Sequence, residues 1–217
     1  PVLRMVWSEL LFLHWRVAPE RLRALLPREL ELETFDGCAW IGVVPFRMSG
    51  VRLRGCPALP GTAEFPELNV RTYVRHGERG GVWFFSLDAA SRLTVRGARA
   101  WFGLPYFDAR MEIARAGEHV HFTSERTHRR APAAHFAARY APIGPVAPSA
   151  AGSLERFLSS RYALFALRRG RLVRGEIDHP PWPLRPVACE LERCEMTRLL
   201  GLELEGAPHA LYAEKLE

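Results

Sequence analysis

Residues 66–75 read P-E-L-N-V-R-T-Y-V-R. Apolar and polar side chains alternate through this stretch, which is the period of a β-strand, where side chains two apart share a face. One face carries Leu68, Val70, Thr72 and Val74 and reads as a core face. The other carries Glu67, Asn69, Arg71 and Tyr73, which set a carboxylate, an amide, a guanidinium and a phenol in one row. Successive members of such a row lie about 6–7 Å apart, so Glu67 and Arg71, about 13 Å apart, cannot pair along a flat strand. They would reach toward a shared object or toward partners on other strands. An antiparallel sheet commonly has one face on the core and one in water, so a solvated polar surface is the plain alternative.

Outward from this strand the punctuation is regular. Residues 6–17 predict a long, buried strand. Pro19 opens a short helix with Leu22, Leu25 and Leu26 on one face, and Pro27 ends it. Residues 30–48 predict a hairpin turning at Asp36-Gly37, and residues 50–63, rich in Gly and Pro, predict a loop. A turn over 77–81 leads to an apolar strand at 82–88, where Trp83, Phe84 and Phe85 read as core. Residues 91–101 suit a helix, 107–127 a second hairpin turning at Ala116-Gly117, and 141–152 a Pro/Gly/Ala linker. Ser153 has the chemistry of a helix cap, with Glu155 in the first turn, for a helix reaching about Arg161. Further strands follow over 163–192, interrupted by a Pro-rich run at 178–183. A short helix near 193–200 and a last strand near 209–215 close the chain. Strands outnumber helices and short turns join most of them, which predicts a strand-rich, mainly antiparallel α+β fold in one domain spanning 1–217.

The composition, 48% hydrophobic and 25% charged, is that of an ordinary globular protein. No apolar run approaches the roughly 20 residues that cross a bilayer, and no secretory leader is legible. A cytoplasmic location without a membrane partner is the expectation. The formal net charge is +6, and of the 30 Lys+Arg only Lys215 is lysine. The arginines run from Arg4 to Arg198, with the tightest groups at Arg129-Arg130 and at Arg168-Arg169 with Arg171 and Arg174. No helix-turn-helix, zinc-finger or RNA-binding signature accompanies the charge, so no nucleic-acid partner is expected. Cys38, Cys56, Cys189 and Cys194 form no C-x-x-C pair and match no zinc module. No G-x-G-x-x-G or P-loop follows a strand and no G-x-S-x-G elbow is present, so no nucleotide cofactor or serine-hydrolase chemistry is expected. His119 and His121 share a face but lack a third ligand at a recognisable spacing, so neither a metal nor any other cofactor is expected.

Several segments together resemble the YqjF-like family, a domain of unknown function placed with the acetoacetate decarboxylase-like superfamily. They are F-L-H-W-R-V from Phe12, T-F-D-G-C-A-W-I-G-V-V-P-F around Asp36, F-P-E-L-N-V-R-T-Y-V around Glu67, W-F-F-S-L-D-A from Trp83 and G-S-L-E-R-F-L-S-S-R-Y ending at Tyr162. Residues 98–107, A-R-A-W-F-G-L-P-Y-F, resemble the decarboxylase segment that runs roughly G-R-E-x-x-G-x-P-K-K. In that enzyme the first lysine forms a Schiff base with a keto acid and the second lowers its pKa. Here Arg99, Gly103 and Pro105 keep the frame, while Tyr106 and Phe107 hold the two lysine positions. The resemblance implies a central cone or barrel with an enclosed small-molecule cavity, homo-oligomers, and a glutamate from the 66–75 strand inside the cavity. It implies no assigned activity.

On that reading Glu67 and Tyr106 are the catalytic candidates. Glu67 would move a proton if burial raises its pKa, and Tyr106, unable to form an imine, would donate a hydrogen bond to a carbonyl or enolate oxygen. Arg71 would hold a carboxylate in bidentate fashion, with Asn69, Tyr73, His14 and Arg99 as further ligand-binding candidates. Phe107 removes the second positive charge, which predicts a less cationic pocket floor. His14 has the plainer reading of a satisfied core histidine, while Asp178-His179 read equally as the lining of a pocket mouth and as a rigid loop packed by Trp182. Three functions follow. The first is an enzyme acting on a small carbonyl, carboxylate or aromatic compound without Schiff-base chemistry, lyase- or hydrolase-like. The second is a non-catalytic binding or sensing protein using the same cavity. The third is a basic module for nucleic acid.

Overall fold

The computed structural model describes residues 3–53, 64–91, 95–97 and 103–217. In chain order the elements are β1 (Leu3–Val17), α1 (Pro19–Arg23), β2 (Glu31–Leu32), β3 (Ala39–Leu53), β4 (Glu64–His76), β5 (Arg79–Ala89), β6 (Tyr106–Ala116), β7 (His119–Arg126), β8 (His135–Pro142), α2 (Leu154–Ser159), β9 (Ala163–Arg168), β10 (Arg171–Glu176), β11 (Leu184–Cys194), a 3-10 turn (Arg198–Leu200) and β12 (His209–Leu216). The strand-rich α+β expectation holds. Pairing is antiparallel except where β5 meets β6 and β9. Among the described residues no helix is long and apolar enough to cross a membrane.

The pairings return on themselves. From β5 they run through β6, β7, β8, β11, β12, β1, β3 and β4, and β4 pairs back to β5. The β9–β10 hairpin extends the sheet from β5, and β2 lies on the last residues of β4. Such a circuit has an inner and an outer face. Leu11, Ile41, Leu68, Phe122, Phe136 and Tyr212 come from strands on opposite sides of it and meet in one buried cluster, which places them inside. A second cluster gathers Leu10, Phe12, Val44, Phe46, Leu87 and Tyr106 with Trp182 from the loop before β11, on the outer face. Both faces of β1, β3 and β4 are therefore packed. Each fully buried Leu or Phe side chain contributes about 1.5–3 kcal/mol relative to one left in water.

Two local devices set which side chain faces where. At Glu9 the backbone turns left-handed with φ 54, and the β1–β3 register slips by one residue between Ser8 and Leu13. This bulge reverses the parity of β1, so Trp7 before it and Leu10, Phe12 and His14 after it share the outer face. The second device is at Asp36 and Gly37, both with positive φ (50 and 73), as a two-residue hairpin turn requires. That turn joins only the Phe35–Cys38 bridge. The expected hairpin over 30–48 does not form, because β2 pairs instead with Val74 and Arg75 of β4.

Other boundaries moved. Residues 135–140, unassigned from the pattern, form β8 together with the first two residues of the expected linker, and β11 continues to Cys194, where a helix was expected to begin. Ser153 caps α2, accepting from the Arg156 amide at 3.2 Å. Most of the helix expected over 91–101 and of the loop over 50–63 lies outside the described residues.

Candidate active site

The polar row of β4 is not a solvated surface. Glu67 is 1% exposed, Asn69 5% and Tyr73 0%, and Arg71 is half-buried. The outer aromatic cluster and α2 cover it: Tyr73 packs with Leu158 of α2, and Phe12 and Trp182 meet edge to face at 5.4 Å. β4 runs without a bulge against β3, so the two-residue parity of the sequence holds along its length.

Glu67 and Tyr106 meet. Strand β6 begins at Tyr106, which pairs in parallel with Leu87, two residues along β5 from the Ala89 opposite Glu67. The Tyr106 hydroxyl lies 3.1 and 3.3 Å from the two carboxyl oxygens of Glu67. Burial pushes the Glu67 pKa from 4.5 to about 8. The negative charge of Asp88 adds to the rise, and the Tyr106 hydrogen bond opposes it. Glu67 is therefore largely a neutral acid at neutral pH. Burial and the neighbouring Glu67 raise the Tyr106 phenol well above its usual range, so it stays a donor.

Phe107 corrects one expectation. Its side chain takes the other face of the sheet from Tyr106 and lies beneath the Arg126 guanidinium, 4.4 Å from ring centre to Cζ. Arg126 in turn clamps Asp88 in a bidentate pair of 2.8 and 2.6 Å, with both side chains at 0% exposure. The cationic group beside this stretch, Arg126, is thus on the inner face, neutralised by Asp88, and Phe107 lines no floor beneath Tyr106. Nothing in the sequence singled out Asp88 or Arg126, which are 38 residues apart and meet across β5, β6 and β7.

At the other end of the row His14, Tyr73 and Arg71 form a second group. His14 Nε2 lies 2.6 Å from the Tyr73 hydroxyl, which donates to the Leu158 carbonyl at 2.9 Å. With that proton committed, Nε2 carries the imidazole hydrogen and Nδ1 is a bare acceptor. Burial, with the charges of Arg71 and His209, drives the His14 pKa well down, so the ring is neutral. Gly42 makes this possible, because a Cβ there would lie 3.0 Å from His14 Cδ2 and Nε2. Arg71 donates to the Leu158 carbonyl at 3.2 Å and stacks near Phe12 and Tyr73. It has no carboxylate partner among the described residues, and its buried Nε, Asn69 Oδ1 and His14 Nδ1 lack hydrogen-bond partners there. Buried polar groups are nearly always paired, so three such atoms along one face mark a place suited to a polar ligand.

The other candidates fall elsewhere. Arg99 lies outside the described residues. His121 is 3.5 Å from Glu192, and no group of His, Cys, Asp or Glu among the described residues is arranged to hold a metal ion. His179 contacts the carbonyls of Pro180 and Arg161 and packs on Trp182, which fits its reading as part of a rigid loop. A cavity of about 280 Å³ beside Phe84, Pro105 and Phe165 and one of about 490 Å³ along Arg168–Val173 are lined by neither Glu67 nor Tyr106.

Known proteins share this framework. The chain is 40% identical over 215 residues to an uncharacterized protein, YqjF, of Bacillus subtilis (strain 168), covering 99% of this chain and 88% of that one. Acetoacetate decarboxylase from Legionella pneumophila superposes with a TM-score of 0.67 at 14% identity, covering 100% of this chain and 84% of the enzyme. An acetoacetate decarboxylase-like enzyme from Sphingomonas wittichii RW1 gives 0.60 at 20% identity, covering 99% and 90%. The enduracididine biosynthesis enzyme MppR complexed with pyruvate gives 0.60 at 14% identity, covering 100% and 88%. At such identities these structures share the fold alone. The model of the DUF2071 family, described as an uncharacterized conserved protein, matches residues 4–217, and this chain belongs to that family.

Proposed function

We infer that this chain takes a small carbonyl- or carboxylate-bearing compound on the outer face of β4 and exchanges a proton with it through Glu67. The observation that carries this reading is the buried Glu67–Tyr106 pair, with a carboxyl group raised to about 8 beside a phenol that donates to it. An acid with a pKa near working pH serves as both donor and acceptor of protons. Tyr106 stands where the resemblance puts the Schiff-base lysine, and a phenol forms no imine, so the chemistry would run by proton transfer and hydrogen bonding to oxygen. Arg71, with a charge that no carboxylate meets among the described residues, would hold the ligand's carboxylate, and Asn69 Oδ1 and His14 Nδ1 would accept from its donors. That a protein of this fold has been seen complexed with pyruvate supports trying keto acids first.

The same unpartnered atoms favour a second reading, a non-catalytic binder, since they need a ligand and not a reaction. Thermal unfolding in the presence of small keto acids, hydroxy acids, quinones and phenols, with mass analysis of every stabilising compound, separates the two. A compound recovered altered, with turnover lost in Glu67→Gln but binding kept, supports the enzyme. Turnover unchanged in Glu67→Gln removes Glu67 from the chemistry. A compound recovered intact supports the binder, with Arg71→Ala expected to weaken it.

A further inference from the structure

The β9–β10 hairpin departs from what its own stability would select. Arg168 and Arg171 are directly opposed across the strands, and like charges in that position repel. The turn between them is Arg169-Gly170, with φ 51 and 75. A two-residue turn of this kind favours Asn or Gly at its first position, and a long side chain there carries strain. Arg168, Arg169 and Arg171 are exposed, and none pairs with a carboxylate among the described residues. Together with Leu172 and Val173 they line a surface cavity of about 490 Å³. Three uncompensated guanidinium groups within one hairpin tip, one of them on a strained turn, point to a bound oxyanion.

We propose that the tip of the β9–β10 hairpin is a binding site for a single phosphate group, carried by a small phosphomonoester or free in solution. A dianion between Arg168 and Arg171 turns their repulsion into two charge-assisted contacts, and Arg169 adds a third from the turn. The footprint is one phosphate and not a nucleic-acid backbone, because the cationic patch ends abruptly. Arg174, the next arginine on β10, is bound to Glu176 at 2.8 Å, and Glu176 also holds Arg79 at 2.9 Å. A stripe that tracked successive phosphates would need those side chains free.

The test is thermal unfolding of the full chain in inorganic phosphate against sodium chloride of equal ionic strength, with binding measured by calorimetry. The parent is expected to gain stability in phosphate beyond the chloride control. Arg171→Thr is expected to weaken phosphate binding about tenfold, as the loss of one strong contact. In chloride it should unfold at a higher temperature than the parent, because the cross-strand repulsion is gone. Those opposite signs distinguish a ligand site from a structural role. Arg168→Thr is the second variant and should behave alike. Equal effects of phosphate and chloride overturn the proposal, as does a lower unfolding temperature for both variants in chloride. A single-stranded oligonucleotide that binds through these arginines at least tenfold more tightly than inorganic phosphate also overturns it, in favour of a nucleic-acid site.

Discussion

Replacing Glu67 with Gln tests the centre of the site without needing its ligand. Gln is nearly isosteric, keeps an oxygen that accepts from Tyr106, and cannot titrate. In the native chain the Glu67 carboxyl is raised from 4.5 to about 8, chiefly by burial. The unfolded chain titrates near 4.5, so between these values the folded state holds a proton that the unfolded state has released. Stability contributed by this group is therefore complete below about pH 4.5, falls as pH rises through the window, and is level above about pH 8. The gap of about 3.5 in pKa, at about 1.4 kcal/mol for each, makes the total fall about 5 kcal/mol. The Glu67→Gln variant suffers no such fall. Urea unfolding of both proteins from about pH 5 to about pH 8.5 should show the variant gaining on the parent by about 4 kcal/mol, with a slope approaching about 1.4 kcal/mol per pH unit in mid-range. Any fixed cost of the extra amide N–H donor cancels from this slope. A difference that changes by less than about 1 kcal/mol over the range would refute a buried neutral acid.

Three further outcomes follow. Tyr106→Phe removes the hydrogen bond that lowers the Glu67 pKa; carboxyl carbon NMR should show Glu67 titrating higher still, with stability down by about 1–2 kcal/mol, and a downward move would count against the pairing. Gly42→Ala places a Cβ 3.0 Å from the His14 ring; urea unfolding should show a loss of about 1–3 kcal/mol, and no loss would mean that His14 moves freely. Asp88→Asn leaves the Arg126 guanidinium buried without its counter-charge; a loss of about 3–5 kcal/mol is expected, and Glu67 should titrate lower because Asp88 no longer opposes its ionisation.

How much of this was legible in the sequence depends on the range of the interactions. The alternation over 66–75 specified the strand and the shared face of Glu67, Asn69, Arg71 and Tyr73, because side-chain parity is local to the backbone. Ser153 as a cap and the Asp36-Gly37 turn were readable for the same reason. Which strand a turn joins was not, since β2 pairs with β4 from some forty residues away. β8 escaped because its outward positions hold alanines and an arginine without a strong apolar rhythm, and only the inward Phe136, Ala138 and Tyr140 reveal it. The bulge at Glu9 could not be seen, because its parity reversal is defined against a partner strand.

Residue order alone specifies a strand-rich chain and a row of polar side chains on one face of β4. These follow from periodicity and from residue identity. Folding in three dimensions settles whether that row lies in water or under an aromatic layer, and so whether Glu67 is an ordinary carboxylate or a neutral acid. It also turns Phe107 inward to Arg126 and Tyr106 outward to Glu67. The physical reason is that desolvation and charge pairing depend on what other strands bring within a few ångströms. Residues far apart in the chain set those neighbours, and spacing along the chain does not encode them.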